Sequence, residues 1–473
     1  MILLCWFTIK VITIAEIGSI GQLYDMVLEI SKGAPVDGNY KGSYLTMSSR
    51  ESVIFGVIHI VTNFAIVIMD TGFWQKGFSA DVPAAVPGYI IGGNAYFAIP
   101  WAWGTIVGLG CLVLENTPAF PTYPRRMTAG EVSGGLVLPF ASQAVAGKGG
   151  AVAILFILFM ACTSIASAQL IAMSSIISFD IYGGYIKPNA NNKQLITASH
   201  IGVIGSALFV SSFATALHKG GVDLNWTLYM LGVVVCPGMF PTIFTLLWRG
   251  QSRAAAIISP IVGMACGFAV WFGIAYAYHG EVTIFSTGQS LPCMFGCLTS
   301  CFVPLPLTII ISYLYPTEFE WKDFLVIESV NAAGHFKLDE AKYFTPERVA
   351  YMKKMSRVAI YWAIATFCGQ VLFWPLPMYG AQFVFSKGLF TAWIVVALIW
   401  LFITLLIANF YPLIDGGFHK IWVVLSGRKE LPEEAETEVK SGSANNSDPE
   451  EQAAILEEKK GEVEVNVDGS VNA

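Results

Sequence analysis

Apolar residues fill long stretches of this chain, and polar residues collect in the gaps between them. Nine stretches carry almost no charge over roughly the 20 residues an α-helix needs to cross a bilayer. They run over 51–73, 95–115, 150–177, 196–217, 225–248, 254–278, 288–314, 357–377 and 389–412. Each is predicted to be a membrane-spanning helix. Another apolar stretch, Ile2 to Ile14, follows Met1 with no basic segment in front of it, which argues against a signal peptide. It reads as the later half of a membrane helix. Gly104 and Gly108 form a small-xxx-small pair in the second span and predict close helix contact there. The fold class expected is an all-α polytopic membrane protein.

Composition agrees with the pattern. Of 473 residues, 55% are hydrophobic and only 13% charged, where a soluble domain carries about a quarter charged. The net charge of -6 is shaped by an acidic tail from Glu430 onward, rich in Glu, Ser, Asn and Gly, which is expected to be disordered. No basic patch is present for nucleic acid. Lys76, Lys187, Lys193, Arg249, Arg253, the 315–356 loop and the tail gather the larger share of Lys and Arg on one side, predicted to be cytoplasmic. The 116–149 connection is then a long extracellular loop. Inside the cytoplasmic loop, Thr345-Pro346-Glu347 reads as a helix start with Pro at its first position.

The nine cysteines lie mostly within apolar runs and form no disulfide framework. Cys293, Cys297 and Cys301 recur every four residues and are expected on one buried helix face, as small hydrophobes rather than metal ligands. No catalytic triad, phosphate-binding glycine loop or zinc spacing occurs, so an enzyme is not expected, and no cofactor.

Polar side chains inside spans need a partner or a water-filled cavity, so they are the informative positions. The first span contains His59, Asn63 and Asp70. At about 100° per residue, Asn63 lies about 40° from His59 and Asp70 about 20° from it, so all three share one stripe. An amide donates to and accepts from a small polar solute, and Asp70 and His59 can exchange protons. The competing assignment is interhelical glue for His59 and Asn63, with Asp70 paired to a base such as Lys76. In the third span, Ser164, Ala168, Ala172, Ser175 and Ser178 give a small, partly hydroxylated face, interrupted by Ile171. Its oxygens suit a hard cation, while close helix packing competes for the same residues.

Asn63 to Ala80 (N-F-A-I-V-I-M-D-T-G-F-W-Q-K-G-F-S-A) and Ala161 to Tyr182, ending D-I-Y, resemble the sodium/solute symporter family, and within it the urea active transporters of fungi and plants. The resemblance runs to about residue 412. It implies a LeuT-like inverted-repeat core, incomplete at its first repeat. Residues 1–17 would end core helix five, 51–248 hold core helices six to ten, 249–412 add four appended helices with the cytoplasmic loop 315–356, and 413–473 form the cytoplasmic acidic tail. Core helices one to four would be missing, as in an N-terminally truncated chain, leaving one wall of the site.

The resemblance also implies transport of urea, with polyamines as further cargo, across the plasma membrane. Asn63, Asp70 and His59 would bind the solute. The family's Ala-x-x-Ser-Ser cation motif reads Ala161-Cys162-Thr163-Ser164-Ile165 here. Ala161 and Ser164 retain ligand oxygens, Thr163 and Ser167 add hydroxyls nearby, but Ile165 cannot coordinate a cation through its side chain. Proton coupling is therefore favoured over sodium, with Asp70 as the titrating group. The partners expected are a small polar solute, a coupling cation and membrane lipid. A sodium-driven symporter of another solute and a non-transporting membrane sensor are the alternatives.

Overall fold

A computed structural model describes residues 2–79, 82–317 and 345–412, with a few isolated positions outside them. The 413–473 tail and most of the 315–356 loop, for which disorder and a cytoplasmic place were expected, lie outside the described residues. Two units are distinguished, Met1–Thr404 and Leu405–Ala473. Among the described residues nine helices are long and apolar enough to cross a membrane, one over each predicted stretch. Among the described residues the one ladder is a two-residue antiparallel pairing of Val330–Asn331 with Gly334–His335.

Helix ends follow side chains that satisfy the free N–H groups of the first turn. The first apolar segment is α1 (Ile2–Thr13), followed by α2 (Ile20–Gly33), whose cap Ser19 accepts from the Gln22 amide. Sequence periodicity over long apolar runs passes over α2, because it is short and amphipathic. Its Leu23, Val27 and Ser31 are buried at four-residue spacing. Next come α3 (Arg50–Met69), capped by Ser49, and α4 (Thr71–Ser79). The second span is α5 (Val82–Ala102), a π-helical turn at Trp103–Val107, and α6 (Gly108–Leu114).

Gly104 and Gly108 do not serve the close contact expected of them. A Cβ on either would meet nothing within 4 Å, whereas one on Gly110 would strike Val11 at 2.5 Å. The π-helical turn shifts the helix face there, so the closely packed glycine is not one of the predicted pair.

After α7 (Ala129–Ser133), α8 (Val137–Ser175) begins well before the predicted span. It is two helices joined at a break, Ala146 (φ -133°) and Gly147 (φ 59°). The positive φ suits glycine, which lacks the Cβ that would clash. Part of the expected 116–149 loop is therefore helical. A long π-helical run, Ile176–Ile186, follows Ser175 directly. Then come α9 (Asn192–Lys219), closed by an Asn191–Gln194 capping box, α10 (Leu224–Val235), α11 (Met239–Leu247) and α12 (Arg253–His279). The short α13 (Ile284–Thr287), α14 (Ser290–Phe302) and α15 (Pro304–Leu314) complete the region before the 315–356 loop. Beyond it stand α16 (Pro346–Phe367), α17 (Pro375–Gly380) and α18 (Lys387–Pro412). The start of α16 is as the sequence predicts: Thr345 caps it, accepting from the Arg348 amide, with Pro346 at the first position.

Helices α3, α10, α11, α12, α14 and α15 pack as one cluster. Its core holds Ile54, Ile58, Tyr229, Val233 and Trp271 with Cys293 and Cys297, while Cys301 joins Ala65, Cys236 and Met239. The three cysteines thus share one buried face. Within the cluster α12 lies against α14 and α15 by small residues every fourth position. Ala255, Ser259, Gly263, Gly267, Trp271 and Ala275 are all buried. Gly267 sits under Ser300, Gly263 under Pro304, and Gly296 under Trp271. Small residues let two backbones approach where lipid offers no hydrophobic drive for association.

The second group packs α1, α2, α6 and α8 around the π-helical turn of the second span, with α9 against α8. Segment 34–49 is tied to the start of α18: Met47 donates its amide to the Phe383 carbonyl, and Phe385 donates to that of Leu45, at 2.9 and 2.8 Å. Trp101 and Trp393, with ring centroids 5.0 Å apart, continue this contact. In unit Leu405–Ala473, the Asn409 amide donates back to the Leu405 carbonyl at 2.7 Å.

Candidate functional site

The residues that matter collect where the first span stops. Asp70 leaves helical geometry (φ -79°, ψ 104°) and separates α3 from α4. It therefore does not continue the stripe of His59 and Asn63, which holds only while the helix lasts. Its Oδ1 accepts the Gly72 amide at 2.8 Å, so the carboxylate caps the N-terminus of α4. Its Oδ2 accepts from Gln169 Nε2 of α8 at 2.7 Å. The break leaves few orphaned groups: Asp70 N–H still donates to the Ile66 carbonyl, and the Trp74 indole donates to that of Ile68 at 2.8 Å. One turn further on, the Gln75 amide donates to Ser175 Oγ. Polar contacts thus join α4 to α8 at two levels.

Along its length α3 packs chiefly on α10, α11 and α14. Asn63 lies seven residues before Asp70, and Ser164 five before Gln169, so they stand about 10 Å and about 7.5 Å from the contact at 1.5 Å per residue. The spans are first and third in an alternating series, so they run the same way and the two residues lie at similar depth. Both are exposed, and neither side chain makes a hydrogen bond among the described residues. They are not sealed against neighbouring helices, and no hydrogen bond joins them to each other.

The remaining candidates are more constrained. His59 Nδ1 lies 2.9 Å from the Phe55 carbonyl, which can only accept, so Nδ1 carries a proton and donates there. Its ring stacks on Phe55 with centroids 3.8 Å apart. Ala161 is exposed. Thr163 Oγ1 donates to the Phe159 carbonyl at 2.8 Å and Ser167 Oγ to that of Ser164 at 3.0 Å, so both hydroxyls turn back to their own helix. Ile165 is 65% exposed. The small-residue face of α8 divides by depth. Ala172 and Ser178 are buried, Ser175 is half-buried, and Ser164 is open.

Gln169 and Gly72 were not foreseen as partners of Asp70, nor was the Gln75–Ser175 bond one turn on. A glutamine one residue past Ala168 in a small-residue face was the one available signal. Its meaning depends on a contact between residues 99 positions apart.

The comparisons bear on what these residues serve. No family model matches the chain. The chain is 41% identical over 402 residues to a probable urea active transporter of Schizosaccharomyces pombe, covering 85% of this chain and 60% of that protein. It is 32% identical over 487 residues to the urea active transporter of Saccharomyces cerevisiae, covering 90% and 66%. A rice protein named urea-proton symporter DUR3 is 34% identical over 405 residues, covering 82% and 54%. The chain is thus similar along most of its length to proteins named urea active transporters. Urea active transporters are matched along most of this chain, and with nine apolar helices it is an integral membrane protein. It spans about three fifths of the length of the curated relatives it matches.

Proposed function

We propose that this chain carries urea across the plasma membrane together with a proton, by alternating access. The observation that carries the reading is the match of more than four fifths of the chain to proteins named for active urea transport, one of them a proton symporter. The chemistry of the first and third spans agrees with it. Urea has four N–H donors and one carbonyl acceptor. The open Asn63 amide offers both functions, and the Ser164 hydroxyl at similar depth accepts or donates. His59 Nε2 adds a further hydrogen-bonding atom on the same stripe as Asn63. Asp70 stands at the contact of α4 with α8, and a carboxylate there can take and release the coupling proton.

Urea would bind between the Asn63 and Ser164 walls, and rocking of the two helix groups would expose it to one side and then the other. In this reading 51–248 supply core helices six to ten, 249–412 the appended helices, and the tail is cytoplasmic. Sodium coupling is the second reading, because Ala161, Thr163, Ser164 and Ser167 cluster oxygens on one segment. Ile165 beside Ser164 and the inward-turned hydroxyls of Thr163 and Ser167 weigh toward the proton.

The test is uptake of radiolabelled urea by proteoliposomes holding the chain, with an inward proton gradient and with sodium replaced by choline. Gradient-driven accumulation that survives choline is expected, with loss in Asn63→Ala and loss of accumulation in Asp70→Asn. Unchanged uptake in both variants would discard the site, and absence of any uptake would discard the transport reading for this chain.

A further inference from the structure

The helix that follows the 315–356 loop carries its charge mainly on one side. α16 packs on α5 and, Val349 in the first turn apart, its half-buried residues are Arg348, Met355, Ala359 and Thr366. At about 100° per residue these four fall within about 40° of one another, a single stripe along the helix. Lys353, Lys354 and Arg357 are exposed, and all three lie at least about 120° from the middle of that stripe. None of the three pairs with a carboxylate among the described residues. Arg357 Nε donates back to the Lys353 carbonyl at 3.5 Å, which leaves its two NH2 groups for another partner. α5 carries no acidic residue. Glu347, the one acid of α16, stands about 9 Å before Lys353 along the axis.

The same outward face turns apolar within a turn of Arg357. Ile360, Tyr361 and Ile364 are 55%, 70% and 56% exposed, and each is again at least about 120° from the packed stripe. The change falls where the apolar stretch of this span begins, at residue 357. The cations therefore stand at headgroup depth and the apolar strip at the depth of the acyl chains. An anion dissolved in water would use the cations and gain nothing from the strip. A glycerophospholipid uses both, its phosphate accepting from the Lys and Arg donors while its chains lie along Ile360 and Ile364. Three unpaired cations on one face favour a headgroup of net negative charge over a zwitterionic one. The loop before α16 is on the side read as cytoplasmic, the leaflet that carries anionic lipid in a cell.

We propose that Lys353, Lys354 and Arg357 form a binding site for an anionic glycerophospholipid whose chains run along the outward strip of Ile360, Tyr361 and Ile364. The site is independent of the cargo the chain carries.

The experiment uses the full chain in phosphatidylcholine liposomes holding a trace of photoactivatable phosphatidylserine or, in a parallel sample, photoactivatable phosphatidylcholine. Mass spectrometry reads the label on residues 358–367, normalised to that on the outward-facing α9. The serine lipid is expected to label 358–367 more than about tenfold better than the choline lipid, and each of Lys353→Gln, Lys354→Gln and Arg357→Gln should lower that ratio about three- to fivefold. Lys353→Arg should keep it. Lys187→Gln with Lys193→Gln, which removes two exposed charges elsewhere, should leave it unchanged. A ratio near one in the parent overturns the site, and so does an equal fall in the chain lacking Lys187 and Lys193, which would mean bulk surface charge. Loss of the label to soluble glycerophosphoserine at the same total concentration would also overturn it, because the apolar strip would then contribute nothing.

Discussion

Asn63 separates holding the fold from holding a solute. Its side chain is exposed and makes no hydrogen bond among the described residues. Replacing it with Ala removes no internal hydrogen bond, so thermal stability in detergent should stay within about 0.5 kcal/mol of the parent. Urea uptake by the same variant should fall at least tenfold. Loss of stability in step with uptake would assign Asn63 to packing. Gly72→Ala should act in the opposite sense on the neighbouring contact. Its Cβ, 3.0 Å from Asp70 Oδ1, crowds the carboxylate, so this variant should lose thermal stability in detergent where Asn63→Ala does not.

Glu131 gives a pH prediction outside the spans. A bidentate pair with Arg125, at 2.7 and 2.6 Å, and the Thr128 amide hold its carboxyl at about 2, below an ordinary value near 4.5. A depressed carboxyl contributes order that is complete above the ordinary value and disappears as pH falls through the lowered one. The Thr128–Gly134 turn should therefore keep its amide protection at pH 4 and lose it toward pH 2. Hydrogen exchange, corrected for its intrinsic pH dependence, reads this. Arg125→Met should move the loss up toward pH 4.5. The same pattern in both chains would refute the assignment.

Among the elements, the small-residue seam of α12 against α14 and α15 makes the sharpest demand on sequence. A Cβ on Gly263 would lie 2.3 Å from Pro304 Cγ, whose ring cannot move aside, and one on Gly267 would lie 1.8 Å from Ser300 Oγ. Overpacking of this kind costs about 1–3 kcal/mol. Gly263→Ala should lower the melting temperature in detergent by several degrees. Gly273→Ala on the same helix, where a Cβ meets nothing within 4 Å, should leave it unchanged or slightly raised. Equal effects at both glycines would show that helix propensity, not the seam, controls stability.

At the scale of the molecule, burial is uneven. The apolar windows of Leu224–Leu247 and Ser290–Leu314 are 39% buried, against 6% for Val137–Ile186 and 11% for Asn192–Lys219. The α10–α11 and α14–α15 spans are thus packed on more of their surface, while α8 and α9 show most of theirs outward. A transporter needs such a difference, since one group must move against another that keeps its shape. If the proton reading holds, urea accumulation should track the imposed pH difference across the liposome and vanish with an uncoupler. Persistence with an uncoupler but collapse without sodium would move the coupling to the oxygens around Ser164.

Much of the architecture was legible in the chain because the bilayer imposes one strong rule: a span must be long, apolar and helical. All nine spans and the Thr345-Pro346 helix start follow from residue types over short distances. The four-residue recurrence of Cys293, Cys297 and Cys301 likewise named a buried face. What periodicity misjudged depended on local departures from regular helix. The Gly147 break, the π-helical turn that sets Gly110 rather than Gly104 in contact, and the extended Asp70 leave hydropathy unchanged while redirecting side chains. The partnership of Asp70 with Gln169 was beyond any one-dimensional pattern, because two helices distant in sequence bring those atoms together only when the chain has packed.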